Sequence, residues 1–383
     1  MSSPAWDFLP DLPTCASNCL STALESSSCT TTDSACICST PVLTSAIACY
    51  SNKCMPKPAL SSTNITRSAC GVPEDDVADL TPALAGALGM LALIMVGLRM
   101  VQRVWIKKSF GWDDGLILMG FACAIPLNVF AFPLQKYGLG TNIWTISFDD
   151  IPIQLKLLLL AEIFYMPAEA FTQLSFLAFY QRIFPPSKYL TIAYGLAAIT
   201  ICFGVSNTLV MIFQCTPVDY FWTSWTGETS GTCIDINRYS WYRAGFQIAM
   251  DLSIIALPLW PLSTLRLGRQ KKVWIMIMFC TGFLITIVSC LRLRSLVMFA
   301  QSANPSMDNN PAIYWSIVEC DVAIVCACMP CLPALVQPFC PGCFASSKGS
   351  EKSESPAPVR LQRVKPRDWS VLQESQDELM TVH

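Results

Sequence analysis

The chain has 383 residues, of which 53% are hydrophobic and only 14% are charged. Soluble domains carry about 25% charged residues, so this composition excludes a soluble enzyme. The net charge of −2 gives no electrostatic basis for binding nucleic acid. The single histidine is the last residue, His383, which argues against catalytic triads and imidazole metal sites. We find no nucleophile–base pair and predict that the protein is not an enzyme.

The polarity of the chain changes twice along its length. Residues 1–79 are rich in Ser, Thr and Cys, residues 80–338 hold almost all of the hydrophobic mass, and residues 339–383 are polar again. We predict an extracellular head, a membrane domain and a disordered cytoplasmic tail. The first residues lack the pattern of a secretory signal peptide. Either the first membrane helix therefore translocates the head, or the natural chain begins further upstream.

The head contains eight cysteines, and an even number in a short extracellular segment predicts disulfides. A segment of about 56 residues also cannot bury enough apolar surface without such links. Zinc is the alternative, but CxC and CxxxC spacings fit a zinc site poorly. The predicted disulfide cysteines are Cys15, Cys19, Cys29, Cys36, Cys38, Cys49, Cys54 and Cys70. Asn64 begins an Asn-Ile-Thr glycosylation sequon.

Over about residues 10–72 the head resembles the fungal CFEM domain, an eight-cysteine extracellular module. The segments PTCASNC and DSACIC carry the likeness, together with the presence of all eight cysteines. The resemblance implies a small helical head. It also implies disulfides that join Cys29 to Cys36 and Cys38 to Cys70, and that join Cys15 and Cys19 to Cys49 and Cys54.

Asp33 is the candidate iron ligand of the head. Several CFEM domains bind ferric haem through an aspartate just before the CxC pair, and Asp33 stands at that position. A carboxylate suits Fe(III) better than Fe(II). The other interpretation is that Asp33 caps a helix. Few residues are available for an apolar haem platform: Tyr50, with Leu43, Ile47 and Met55.

Seven apolar segments are long enough to cross a bilayer, which needs about 20 residues. They are approximately 80–104, 114–134, 153–180, 189–214, 242–265, 273–299 and 312–337. Basic residues recur in every other connection and in the tail, so the positive-inside rule places the N-terminus outside the cell and the C-terminus in the cytoplasm. We therefore predict an all-α fold, a disulfide-linked head followed by seven transmembrane helices in the plasma membrane.

The membrane domain resembles the fungal rhodopsin-like integral membrane family over about residues 84–340. The likeness rests on the order of several short motifs, among them WDD at 112–114, FYQR at 179–182 and QCTP at 214–217. The resemblance implies a GPCR-like sensor of extracellular cues, of the type linked to appressorial signalling and pathogenicity in fungi. Retinal is not expected as a cofactor, because residues 312–337 contain no lysine to form a Schiff base.

Several ionisable residues lie inside the predicted helices, where they are costly and usually functional. We predict that Arg292 pairs with Glu319 or Asp321. One interpretation of this layer is a network that fixes helix packing; a second is a pocket for a polar or cationic ligand; a third is a proton or ion pathway. The candidate pocket residues are Glu162, Asp251, Arg292, Glu319 and Asp321.

Other cysteines and one arginine have predicted roles outside the helices. A disulfide between Cys215 and Cys233 would stiffen an external loop over the mouth of the bundle. Cys340 and Cys343 follow the last helix and are candidates for palmitoylation. Arg182, at the cytoplasmic end of the third helix, is interpreted as a positive-inside anchor in preference to a residue that gates G-protein coupling.

We predict a plasma-membrane sensor whose partners are membrane lipids, an unknown extracellular ligand and a heterotrimeric G protein, with no nucleic acid. The alternative is haem or iron binding by the head, with the membrane domain as an anchor or uptake partner. A transporter or scaffold is a third hypothesis.

Overall fold

The structure is a computed structural model that describes residues 12–27, 29, 34–183, 188–258, 269–299, 302 and 304–332. Some predicted features lie outside these residues: Asp33, Cys340, Cys343 and the tail 339–383.

The head is all-α, as the sequence predicts. Pro41 and Pro56 stand in the first turns of the third and fourth helices, where a missing backbone N–H costs nothing. The four helices are α1 (Thr14–Ser26), α2 (Ser34–Ile37), α3 (Thr40–Lys53) and α4 (Pro56–Ala69).

Four disulfides hold the head together, and the predicted set is confirmed. The bonds Cys29–Cys36 and Cys38–Cys70 are those that the family resemblance implies. The structure also decides the combination that the sequence leaves open, because Cys15 bonds Cys54 and Cys19 bonds Cys49. These last two bonds fix α1 antiparallel to α3.

The apolar core of the head contains residues that the sequence analysis assigned to a haem platform. Tyr50 is fully buried, and its hydroxyl lies 3.4 Å from that of Thr66. Burial raises the pKa of Tyr50, and the hydrogen bond with Thr66 offsets part of that effect. Leu43 is also buried. Because both side chains face the interior of the head, they do not form an apolar surface for a flat ligand.

Seven helices of 19 residues or more follow the head within the described residues. The segment α5 (Leu80–Met100) continues as a π-helix, Val101–Ile106. The remaining α-helices and strands of the described residues are α6 (Trp112–Lys136), α7 (Ile151–Ile183), α8 (Lys188–Ile212), β1 (Cys215–Thr216), α9 (Tyr220–Thr223), β2 (Thr232–Cys233), α10 (Ile236–Ala256), α11 (Arg269–Phe299), α12 (Pro305–Asp308) and α13 (Asn310–Cys328).

Five of the long helices meet the length and hydropathy expected of membrane spans: α5, α6, α7, α8 and the segment Pro305–Cys331, which contains α13. The other two long helices, α10 and α11, have 21 and 31 residues. Large apolar side chains face outward on the long helices, as a lipid environment requires; examples are Met90, Ile94, Phe132, Val205 and Phe283.

The long helices form a closed ring. Each of α5, α6, α7 and α8 packs against the next long helix in sequence, α10 packs on α11, α11 on α13, and α13 returns to α5. The third long helix, α7, also contacts α10 and α13 and therefore crosses the middle of the bundle. Side chains of α7, α10, α11 and α13 thus meet in the interior, where the candidate site lies.

The boundaries of the fifth membrane helix differ from the prediction of 242–265. The helix begins at Ile236, because the Asp235 side chain caps it by accepting a hydrogen bond from the Arg238 backbone N–H at 3.2 Å. It ends at Ala256, two residues before Pro258. The added first turn brings more polar residues to the end of the bundle that faces the head.

Candidate functional site

The predicted disulfide of the loop between α8 and α10 is present. Cys215 bonds Cys233, and these two residues are directly paired in the short antiparallel ladder of β1 and β2. The loop between them has two neighbours. Phe221 lines a cavity inside the bundle, and Gly227 lies against Met55 and Pro56 of the head. The loop therefore connects the head with the interior of the bundle.

Helix α4 of the head contacts this loop through a lysine. Lys57 Nζ lies 3.4 Å from Glu228 Oε1 and 5.9 Å from the ring centroid of Trp225. Both side chains of the ion pair are largely exposed, so we expect it to contribute about 0.2–1 kcal/mol.

A second contact joins α4 to the loop between α6 and α7. Arg67 Cζ lies 4.8 Å from the ring centroid of Trp144, and Arg67 Nε lies 3.7 Å from Glu74 Oε1. The other Glu74 oxygen accepts hydrogen bonds from Trp144 Nε1, at 3.3 Å, and from the Asn142 side chain. The head is thus held to two loops of the bundle by charged and aromatic groups.

A cavity of about 230 Å³ lies among α7, α10, α11 and α13, on the side of the bundle that faces the head. Most of its wall is aliphatic or aromatic. The ionisable side chains in the wall are Glu162, Tyr165, Arg243 and Arg292. A mostly apolar wall with a few convergent polar groups is typical of small-molecule sites.

Three of these ionisable residues belong to a buried ion-pair cluster, here called the head-side cluster: Tyr165, Glu169, Arg243, Arg292 and Glu319. Arg292 Nε lies 3.1 Å from Glu319 Oε2, which is the predicted pairing. Arg243 Nη2 donates to Glu169 Oε2 at 3.0 Å. These pairs link α11 to α13 and α10 to α7.

Tyr165 is at the centre of the head-side cluster. Its hydroxyl lies 2.8 Å from Glu319 Oε2 and 3.2 Å from Glu169 Oε1, so it joins the two carboxylates. Both guanidinium groups lie over its ring, with Cζ–centroid distances of 4.9 Å for Arg243 and 5.1 Å for Arg292. Ser289 also donates to Glu319. The cluster therefore ties four helices together around one aromatic ring.

The five predicted pocket residues do not all line the cavity. Glu162 and Arg292 do, whereas Asp251, Glu319 and Asp321 are not among the residues that line it. Glu319 lies behind Arg292 as its partner.

The two aspartates make interhelical hydrogen bonds away from the cavity. Asp251 Oδ1 accepts from Gln173 at 2.7 Å and from Gln247 at 3.3 Å. Asp321 Oδ1 accepts from Asn128 Nδ2 at 3.1 Å. These contacts correspond to the packing interpretation of the acidic layer.

A second buried cluster lies at the other end of the bundle. We call it the opposite-end cluster, and it comprises Arg99, Arg103, Asp113, Asp114 and Arg182. Arg99 Nη2 lies 2.7 Å from Asp113 Oδ2, and Arg99 Nε lies 2.8 Å from Asp114 Oδ1. Arg103 lies 3.5 Å and 3.4 Å from the same two carboxylates, and Arg182 lies 3.0 Å from Asp113. Arg182 thus pairs across helices in addition to standing at a helix end.

A model of the fungal rhodopsin domain matches residues 98–338, more than half of the chain. The protein belongs to the fungal rhodopsin-domain family. A CFEM domain model matches residues 8–71, so the four-helix head of this family member is a CFEM domain. Both resemblances seen in the sequence are confirmed. No solved structure matches the chain significantly.

Curated relatives are fungal membrane and gene-cluster proteins. A SAT4 family membrane protein of Emericella nidulans is 27% identical over 61% of this chain and 56% of the relative. The satratoxin biosynthesis SC1 cluster protein 4 of Stachybotrys chartarum is 26% identical over 43% of this chain and 59% of the relative. Receptor GIN3 of Arthrobotrys oligospora is 21% identical over 70% of this chain and 66% of the relative. The chain spans less than two thirds of the first two relatives.

Sequence reasoning missed three features of this fungal rhodopsin-domain protein. It did not single out Arg243 or Tyr165, and it assigned no buried partner to Arg99. A signal for Arg243 was present, because an arginine one position inside a predicted span needs a buried partner. Asp113 and Asp114 gave a similar signal, since two carboxylates among basic residues at one membrane face suggest ion pairs.

The predicted glycosylation site has an exposed asparagine and a buried threonine. Asn64 is exposed on α4, whereas Thr66 of the same sequon is fully buried and donates to the Ser62 carbonyl at 2.7 Å. Glycosylation of Asn64 stays a prediction. It requires that the sequon be recognised before α4 packs against the other helices of the head.

Proposed function

We propose that the protein is a plasma-membrane sensor, with the CFEM head outside the cell and the C-terminus in the cytoplasm. A ligand enters the cavity beneath the head, and the helices around it relay the change to the opposite end of the bundle. The observation that carries this proposal is the position of Arg292. It lines the cavity and is also joined through Glu319 and Tyr165 to α13 and α7.

The coupling has a simple physical basis. A ligand that changes the position of the Arg292 guanidinium changes the pairing of Glu319, and hence the packing of α11 against α13. Such a ligand shifts the equilibrium between two arrangements of the bundle by the difference in its affinity for them. The similarity to Receptor GIN3, over 70% of this chain, supports a receptor role.

The opposite-end cluster is the proposed point of output. Arg182 has 33% of its side chain exposed, against 1% for Arg99 and 10% for Arg103. It is therefore the arginine of this cluster that a cytoplasmic protein can reach. A heterotrimeric G protein is the proposed partner there, and sensing of host or surface cues is the proposed biological role.

The sensor function is tested with variants whose side chains fill the cavity, expressed in the fungus that makes the protein. Ala161 lines the cavity and is 3% exposed, so Ala161→Phe occupies the ligand space and Ala161→Val occupies part of it. Val205 faces lipid on α8, and Val205→Phe is the matched control. The measurement is the set of transcripts that respond to a hydrophobic surface in wild-type cells and not in a deletion strain.

We expect Ala161→Phe to abolish that response, Ala161→Val to weaken it, and Val205→Phe to preserve it. Immunoblots of the membrane fraction establish that the variants are present in equal amounts. An unchanged response in both Ala161 variants, at normal protein levels, rules out the cavity as the sensing site.

The alternative function is haem or iron capture by the CFEM head, and Asp33 is the residue that supports it. Of the four residues named for a haem platform, Tyr50 and Leu43 are buried in the core of the head, Ile47 is half-buried and Met55 is exposed. Titration of the full chain with hemin tests this function. A Soret shift that Asp33→Asn removes would support it, and the absence of a shift in both proteins would end it.

A further inference from the structure

Glu162 differs from the other carboxylates of the bundle interior in its contacts. It lines the cavity on α7 and is partly exposed to it. Among the described residues it has no hydrogen bond or ion pair within 4 Å, whereas Glu169 and Glu319 each pair with an arginine. An unpaired carboxylate inside a membrane protein is costly and usually marks a functional site.

The charges around the cavity leave one negative charge unmatched. Arg243 neutralises Glu169 at 3.0 Å, and Arg292 neutralises Glu319 at 3.1 Å. Glu162 is the carboxylate that remains. Asp251 and Asp321 have only amide partners, so including them adds negative charge to this balance.

We propose that the cavity binds a small organic ammonium ligand, whose charged nitrogen pairs with Glu162. This inference rests on the proposed function of the cavity as a ligand site. The apolar part of the ligand contacts Leu158, Leu293 and Leu296, and Trp241 offers an aromatic face for the cation. The volume of about 230 Å³ is below the range of roughly 300–1,000 Å³ for drug-sized ligands, so the ligand is of fragment size.

An anionic ligand is the competing occupant, since four donor atoms of cavity-lining residues also lack hydrogen-bond partners. They are Nε2 of Gln214, Nε of Arg243, and Nε and Nη2 of Arg292, all among the described residues. Each arginine of the wall already faces a carboxylate, however, so a further anion would increase the excess of negative charge. A neutral hydroxyl or a water can satisfy a free N–H, whereas only a cation or a proton can neutralise Glu162.

The experiment uses the full chain in phosphatidylcholine nanodiscs and three probes of equal length: n-hexylamine, 1-hexanol and hexanoate. Thermal unfolding is followed at increasing probe concentration, because a ligand that binds only the folded state raises the unfolding temperature. The variants are Glu162→Gln, which keeps the shape of the side chain, and Asp149→Asn, a control carboxylate exposed on the loop before α7.

We expect n-hexylamine to stabilise the wild-type protein and Asp149→Asn equally, and to bind Glu162→Gln at least tenfold more weakly. Hexanol and hexanoate should bind the wild-type protein at least tenfold more weakly than the amine. Equal binding of the amine to wild-type protein and Glu162→Gln overturns the proposal. Full suppression of amine binding by equimolar sodium or potassium chloride also overturns it, because the site would then belong to inorganic cations.

The outcomes separate this inference from the proposed function. Saturable binding of hexanoate or hexanol that Ala161→Phe abolishes would retain the cavity as a ligand site and reject the ammonium class. Absence of binding by all three probes rejects the ammonium proposal alone. The transcript response of the Ala161 variants decides the sensor function independently of any probe.

Discussion

The two buried clusters at the ends of the bundle are opposite in charge balance. The opposite-end cluster has three arginines around two aspartates, whereas the head-side cluster, together with Glu162, has three glutamates and two arginines. Both are deeply buried, since Arg99 is 1% exposed and Arg292 is 2% exposed. Burial alone therefore does not distinguish them; the surplus charge does.

The surplus charge of each cluster lies where it can meet something outside the protein core. At the opposite end, Arg182 carries the extra positive charge and reaches the surface, with 33% of its side chain exposed. On the head side, Glu162 carries the extra negative charge and faces the cavity. A surplus charge that is also accessible is a better indicator of a functional position than a charge that is merely buried.

The largest expected effect is the loss of both aspartates of the opposite-end cluster. In Asp113→Asn/Asp114→Asn, three arginines keep their positive charges without a counter-charge, while asparagine at 114 can still accept from the Gly111 N–H. Breaking a buried pair costs about 3–5 kcal/mol, so we expect the free energy of unfolding to fall by at least about 4 kcal/mol. Denaturant unfolding of the full chain in nanodiscs measures this, with Asp149→Asn as the exposed control.

The second largest effect on stability is expected when the ion pair between Arg292 and Glu319 is broken. We expect Arg292→Gln to cost about 3 kcal/mol and Glu319→Gln about 2 kcal/mol, because Glu169 remains as an acidic neighbour of Arg292 in the second variant. A double-mutant cycle should give a coupling of about 1–3 kcal/mol. Arg294→Gln, exposed two residues along the same helix, is the matched control. A coupling below about 0.5 kcal/mol contradicts the ion pair.

Part of this pattern was predictable from the sequence. The eight cysteines predicted the disulfide-linked head, and the ionisable residues inside the predicted helices led to the prediction that Arg292 pairs with Glu319 or Asp321. The alternative partner, Asp321, was excluded only by the structure. Residues two apart on a helix face different directions, so Asp321 points to Asn128 of α6 while Glu319 points to α11.

The cavity was not predictable in the same way. Its wall combines residues from α7, α10, α11 and α13 that are far apart in sequence, and its shape depends on how α7 crosses the bundle. The burial of Tyr50 in the head was not predictable for the same reason, because it also depends on how helices pack. The sequence marks it as the only aromatic residue between Cys15 and Cys70, but only packing shows that it faces the core.

A smaller effect is expected for Arg103. Its nitrogens lie 3.4 Å and 3.5 Å from the aspartates, further than those of Arg99 at 2.7 Å and 2.8 Å. After Arg103→Gln, Arg99 and Arg182 still balance the two aspartates. We therefore expect a loss of about 1 kcal/mol, as for an ordinary hydrogen bond, in the same unfolding measurement. A loss as large as that of the double aspartate variant would show that charge balance does not govern this cluster.

The smallest expected effect is a gain in stability, whereas the other variants lose stability. Glu162→Gln removes a carboxylate that has no hydrogen bond or ion pair within 4 Å among the described residues, so the ligand-free protein should become equally or more stable, by up to about 1 kcal/mol. Glu169→Gln is the matched variant two turns along the same face of α7, and it should destabilise the protein because Arg243 loses its partner. Unfolding of both variants without added ligand measures the difference. If Glu162→Gln were as destabilising as Glu169→Gln, Glu162 would be a member of the ion-pair network, and the negative charge assigned to a ligand would already be neutralised within the protein.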